Sequence, residues 1–230
     1  MTTETQRSRR PGRPARLSRD QVLRAALEIA DTDGLDAVTM QRVAHAIGAE
    51  PMSLYRHVAN KDDLLDGLVD LVFGEIATPA AVEPWRDASR RRAISARDVL
   101  NRHSWAIVLM ESRVRPGPAN LAHREAVLAN LFGAGFSPRQ ATRVYNLIDS
   151  YVYGFALQEK TLPISSEEDL ATLGLEMLPQ FTPDGYPHLA AVATELIGTG
   201  FRYADEFEPG LELILDGLER FAVESMRRRI

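Results

Sequence analysis

A chain of 230 residues with 45% hydrophobic content can bury a substantial core, in one large domain or two small ones. It has no cysteine, which excludes disulfides and thiolate chemistry, and no run of about 18 uninterrupted apolar residues, so no membrane span is expected. The net charge of −5 argues against a protein basic throughout, yet residues 1–60 carry 9 Lys and Arg against 7 Asp and Glu, while residues 61–230 carry 18 against 25. A basic end on an acidic remainder suits a nucleic-acid-binding head on a soluble body.

Residues 1–16 hold Arg7, Arg9, Arg10, Arg13 and Arg16 among Pro, Gly, Ser and Thr, without apolar periodicity. They read as a disordered basic arm. No apolar run follows this charge, so no secretory signal is expected, and a cytoplasmic location is. From Ser18 onward the pattern is helical almost throughout. Ser18 with Gln21 forms a capping box, after which Val22, Ala25, Ala26 and Ile29 share one face until Gly34. Thr39 caps a second helix over 40–47, ended by Gly48. Pro51 opens a short third helix running to about Val58, and Asn60, followed by Asp62 and Asp63, starts a fourth.

Beyond these, the pattern predicts one or two helices over 84–113 and another over 119–133. Ser137, Pro138 and Gln140 start a helix that runs to about Lys160. Residues 161–186, rich in Pro and acidic residues, read as a mobile connection with one helical piece, before helices over 187–200 and 209–228. The expectation is an all-α chain. Its domains are an arm over 1–16, a three-helix helix-turn-helix head over 17–77, and a helical dimerisation and ligand-binding body over 78–230.

The second and third helices carry the functional signal. Gly48 at the turn between them can take positive φ and reverse the chain sharply. Leu54 and Val58 then face the core while Met52, Ser53, Tyr55, Arg56 and His57 project. An exposed helix of this kind fits a major groove. Ser53 can bond a base edge, Met52 can meet a thymine methyl, and Tyr55 and His57 can reach phosphates or base edges. Lys61 at the next helix start, with Thr39, Gln41 and Arg42 at the second, can grip backbone phosphates.

Residues 17–73 resemble the DNA-binding head of the TetR family of regulators. The resemblance rests on Thr39-Met-Gln-Arg-Val-Ala, Ile47-Gly48, Ser53-Leu-Tyr-Arg-His-Val58 and Asn60-Lys-Asp-Asp-Leu-Leu65, in order and in register. It implies that Thr39 and Gln41 meet phosphates, that Met52, Ser53, Tyr55 and His57 lie on the recognition helix, and that Lys61 is a phosphate contact. Residues 208–221 and 145–159 likewise resemble two helices of a tetracycline-repressor-type C-terminal domain. Family members that hold tetracycline with magnesium use a histidine in a loop of the body. The equivalent loop here, Arg115-Pro-Gly-Pro118, has none, so that ligand is not implied.

Apolar stripes on the two matching helices suit a four-helix dimer interface, with Leu147, Tyr151, Leu211, Ile214, Leu215, Leu218 and Phe221 as candidates. Two heads on a two-fold axis would read a pseudo-palindromic DNA operator. Candidates for the lining of a small-molecule effector pocket are Trp85, His103, Trp105, Leu109, Met110, Arg113, Tyr151 and Phe155. His103, His123 and His188 lack metal-ligand spacing, and no nucleophile elbow or phosphate loop occurs, so no metal, cofactor or enzymatic activity is expected. The expected function is a ligand-released homodimeric repressor. An activator of the same family, or a ligand-binding module without DNA binding, stays open. Thr39, Ser53, Tyr55, His57 and Lys61 argue against the latter.

Overall fold

The computed structural model describes residues 17–113, 115–162, 172, 174, 176, 178–181 and 185–227. The basic arm and most of the expected connection over 161–186 lie outside them. All regular structure among the described residues is helical. The chain divides into two compact units, Met1–Leu64 and Leu65–Ile230.

In the first unit, α1 (Arg19–Asp33) starts at the Ser18–Gln21 capping box, with Gln21 N–H donating to Ser18 Oγ at 3.2 Å and Ser18 N–H donating to Gln21 Oε1 at 3.0 Å. A 3-10 turn over Leu35–Ala37 leads to Thr39, whose Oγ1 accepts from Arg42 N–H at 3.2 Å and caps α2 (Met40–Ala46). Gly48, at φ +64, then allows Ala49 N–H to return to the Ala44 carbonyl. α3 spans only Pro51–Leu54, shorter than the sequence pattern suggests. His57 N–H bonds the Leu54 carbonyl at 2.8 Å, tightening the chain into a turn that brings Val58 into the core. Asn60 Oδ1 then accepts from Asp63 N–H and opens α4 (Lys61–Glu75), within which the division between units falls. Val22, Ala26, Val38, Val43, Ala44, Leu54, Val58 and Leu64 form the core.

The second unit packs α5 (Trp85–Arg102) against α7 (Pro118–Gly133) and α8 (Pro138–Thr161), with α10 (Phe207–Arg227) against both α5 and α8. The expected stretch over 84–113 resolves into α5 and α6 (Ala106–Ser112), and α9 covers Pro187–Thr199. Ala88, Ala93, Ala96 and Leu100 of α5 meet a core containing Val144, Ile148, Val152, Phe207, Leu211 and Leu215. Small side chains on α5 allow its neighbours to approach closely.

Two charged arrangements reinforce the packing of α5. Arg86 pairs with Glu212 and Asp216 at 2.6 Å each, and Arg90 pairs with Glu208 and Glu212, lacing α5 to α10. Arg97 forks onto Glu159 at 2.6 and 2.9 Å and covers the rings of Phe155 and Phe207. Phe155 stacks on Tyr203 at 4.4 Å, and Tyr151 on Phe207 at 5.4 Å. Gly210 allows this closure, since a Cβ there would stand 2.2 Å from the Tyr151 hydroxyl.

Candidate DNA-recognition surface and buried polar cluster

The residues that the sequence nominates for DNA contact lie in the first unit, on α2, α3 and the turn after it, and at the start of α4. Leu54 is fully buried, while Met52 is 76% and Tyr55 46% exposed on the same short helix and its following turn. Thr39, Gln41, Arg42 and Lys61 are exposed, and Ser53 and His57 are partly exposed. Several of these side chains have intramolecular work. Thr39 spends a lone pair on its cap, Ser53 Oγ donates to the Glu50 carbonyl at 2.6 Å, and Arg42 pairs with Asp33 of α1.

Arg19 and Asp63 set the pose of this segment, a pairing that the sequence reading did not foresee. Arg19 forks onto Asp63 at 2.7 and 3.0 Å and also donates to the His57 carbonyl at 2.8 Å. Asp63 accepts in turn from Ala59 N–H at 2.7 Å. The Arg19 guanidinium holds the Asp63 carboxyl below the usual carboxylate range. The start of α1 is thereby tied to both ends of the turn that follows α3.

In the second unit the sequence-predicted pocket residues fall into several groups. Trp85 meets Phe136 edge-on at 5.2 Å. His103 is buried beside Trp105, with its Nε2 3.3 Å from Glu75 Oε2. Leu109 and Met110 are buried on α6, and Arg113 after it pairs with Asp66 of α4. Tyr151 and Phe155 sit in the aromatic closure, where Tyr151 donates to the Phe207 carbonyl at 2.9 Å. The structure thus joins His103 to Trp105 and Tyr151 to Phe155. No observed contact gathers all eight.

A more unusual group is buried between α5, α7 and α8. Arg92 is 3% exposed and donates from Nη1 to Asp149 Oδ1 at 2.7 Å. His123 (3%) and Tyr145 (7%) lie beside this pair, with Arg92 and Arg124 each stacked over the Tyr145 ring at 5.2 and 5.3 Å. Among the described residues, Arg92 Nε and Nη2 and both His123 nitrogens have no hydrogen-bond partner, and the Tyr145 hydroxyl has only a marginal approach to the Asp149 carboxylate. Tyr145 nonetheless feels the Asp149 carboxylate: burial first, and then that charge, push its phenol well above the ordinary value. The sequence offered one sign of this cluster. Arg92 shares a helix face with Ala88 and Ala96, a charge where the periodicity asks for an apolar residue.

His123 makes the cluster sensitive to acid. Burial and then the Arg92 charge push its imidazole down to about 4 from an ordinary 6.5. Between those values the unfolded chain binds a proton that the folded protein excludes. Stability should therefore fall on acidification by about 1.4 kcal/mol per pH unit in that window. Urea denaturation of wild type and His123→Leu at several pH values checks this, with the variant lacking that component of the slope.

Two short helices joined by a glycine turn, the second exposed, together with a separate all-helical unit, define a helix-turn-helix regulator. The family model described as "Bacterial regulatory proteins, tetR family" matches residues 22–68, and that described as "Tetracyclin repressor-like, C-terminal domain" matches residues 78–222. The chain belongs to the TetR family, whose members are transcriptional regulators and not enzymes.

The HTH-type transcriptional repressor DrrR1 of Streptomyces coeruleorubidus is 33% identical over 226 residues, covering 92% of this chain and 81% of that protein. The tetracycline repressor protein class C of Escherichia coli is 29% identical over 208 residues, covering 89% and 92%. The crystal structure of the Streptomyces coelicolor TetR family protein ActR in complex with actinorhodin superimposes with a TM-score of 0.76 at 28% identity, covering 90% of this chain and 99% of ActR.

Proposed function

We propose that this regulator is a cytoplasmic repressor that binds a pseudo-palindromic operator as a homodimer and releases it when the body, residues 78–230, takes up a small-molecule effector. The observation that carries the DNA-binding half is the recognition helix, anchored through buried Leu54 and Val58 with Met52 and Tyr55 turned outward. The DrrR1 relative is named a repressor, and ActR has been crystallised with actinorhodin, which supports repression and effector control here. An effector acts by binding the DNA-incompatible geometry more tightly than the DNA-bound one, and can shift the equilibrium by that difference alone. A gel-shift titration on the DNA upstream of the protein's own gene, at several salt concentrations, tests the reading. Binding should weaken steeply as salt rises, because phosphate contacts release counterions.

The proposed dimer uses the accessible sides of α8 and α10. Leu211, Leu215 and Leu218 have almost no surface in the single chain, so they belong to the subunit core and not to an interface. The face left open carries Leu147, 48% exposed, Leu213, 74% exposed, and the partly exposed Ile214 and Phe221. Gly154 and Gly217 have nothing within 4 Å of a built Cβ, leaving room for a close helix–helix approach. Leu213→Asp should then weaken dimerisation about 100-fold, since each dimer loses two buried leucines and gains two carboxylates. Sedimentation at micromolar concentration should show a monomer, and an unchanged dimer would move the interface elsewhere.

A further inference from the structure

We infer that the buried Arg92–His123–Tyr145 cluster anchors an aromatic effector bearing one ionised acid group, a carboxylate or an acidic phenol. This rests on the reading of the second unit as an effector-binding body and names the chemistry that body selects.

The unfilled donors have a definite shape. Asp149 occupies only Nη1 of Arg92. Nε and Nη2, both unpartnered, form the side edge of the guanidinium, whose two parallel N–H groups match the two oxygens of a carboxylate. Tyr145 is held protonated beside the Asp149 carboxylate, which leaves its oxygen able to accept. His123 is neutral near pH 7 and adds one N–H and one acceptor nitrogen. Arg92 Nε and Nη2 and one His123 N–H thus stand as donors against the second His123 nitrogen and the Tyr145 oxygen as acceptors, and with the guanidinium edge open such a set suits a ligand rich in acceptors.

Charge points the same way. The charged groups acting on His123 are Arg92, Arg124 and Asp149, two cations for one anion. The buried pair Arg92–Asp149 is balanced, and the exposed Arg124 leaves the surroundings one positive charge in excess, which a monoanion beside Arg92 would meet. The rings of His123 and Phe73, 6.1 Å apart, supply apolar surface suited to an aromatic body. Leaving the Arg92 and His123 nitrogens unpartnered among the described residues at one buried place is otherwise expensive, and a ligand that accepts from their N–H groups lowers that cost.

The test uses the full-length protein and matched probes: 2-naphthoate and anthraquinone-2-carboxylate, each beside its neutral carboxamide, titrated by calorimetry. At least one acid should bind roughly 10- to 100-fold more tightly than its amide, the range expected of a charge-assisted bidentate contact. The preference should vanish in the double variant Arg92→Met/Asp149→Leu, which removes both buried charges together. The wild-type comparison alone is decisive should that variant fail to fold. Equal binding of acid and amide, or no binding of either acid, overturns the inference and leaves buried water as the occupant. Gel shifts on the same preparation keep the two readings apart. Operator binding released only by neutral compounds defeats the acid inference alone, whereas absence of operator binding defeats the regulator reading.

Discussion

Asp149→Leu should destabilise the second unit by about 3–5 kcal/mol, a loss read directly as a lower urea midpoint at unchanged slope. Among the described residues Asp149 is the anion bonded to Arg92, which is 3% exposed. Deleting the carboxylate leaves a full positive charge among α5, α7 and α8, with Arg124 as an additional like charge over the same tyrosine ring. The penalty belongs to the orphaned charge and not to the lost attraction, and a second variant separates the two. Arg92→Met/Asp149→Leu, which replaces the pair by apolar groups of similar length, should return to within about 1 kcal/mol of wild type. If the single variant is as stable as wild type, Arg92 is compensated by something other than Asp149. If the double variant is as unstable as the single one, the pair is needed for shape and not for charge balance.

How much of this architecture the sequence disclosed depends on how local each determinant is. The starts of α1, α2, α4 and α8 were all legible, because Ser18 with Gln21, Thr39, Asn60, and Ser137 with Gln140 act within three residues of themselves. The end of α3 was not. Apolar spacing carries the helix to Val58, but the regular helix stops at Leu54, after which Arg19 holds the His57 carbonyl and the chain turns to the Asn60 cap. That contact spans 38 residues and leaves no periodic trace.

The same distinction governs the candidate sites. Exposure of Met52 and Tyr55 follows from the buried positions of Leu54 and Val58, which periodicity shows. The apolar stripe on α10 proposed as an interface was only half legible. Leu211, Leu213, Ile214, Leu215 and Leu218 are apolar around much of the helix, so composition could not say which side the subunit core would claim. Packing against α5 and α8 buries Leu211, Leu215 and Leu218 and leaves Leu213 outside. The buried polar cluster was missed because its meaning lies in pairings across long separations. Arg92, His123 and Asp149 each look like an interruption of an apolar face until they meet.

Tyr55→Ala should cost operator affinity on the order of 100-fold while leaving folding and dimerisation unchanged. Tyr55 is 46% exposed and lies just after α3, beyond the buried Leu54, so its truncation removes little packing. Each lost hydrogen bond to a phosphate or base edge is worth roughly 1.5 kcal/mol. A symmetric dimer loses it twice, for about 3 kcal/mol in all. Lys61→Ala provides the contrast. Its loss removes one phosphate-directed charge per subunit, so the slope of log affinity against log salt should become shallower by about 2, with the ranking of operator variants preserved. Tyr55→Ala should leave that slope nearly unchanged, since no charge is lost. A folded, dimeric Tyr55→Ala protein that still binds the operator at wild-type affinity would remove this residue from the interface. The base-reading role would then pass to Met52, Ser53 and His57 alone.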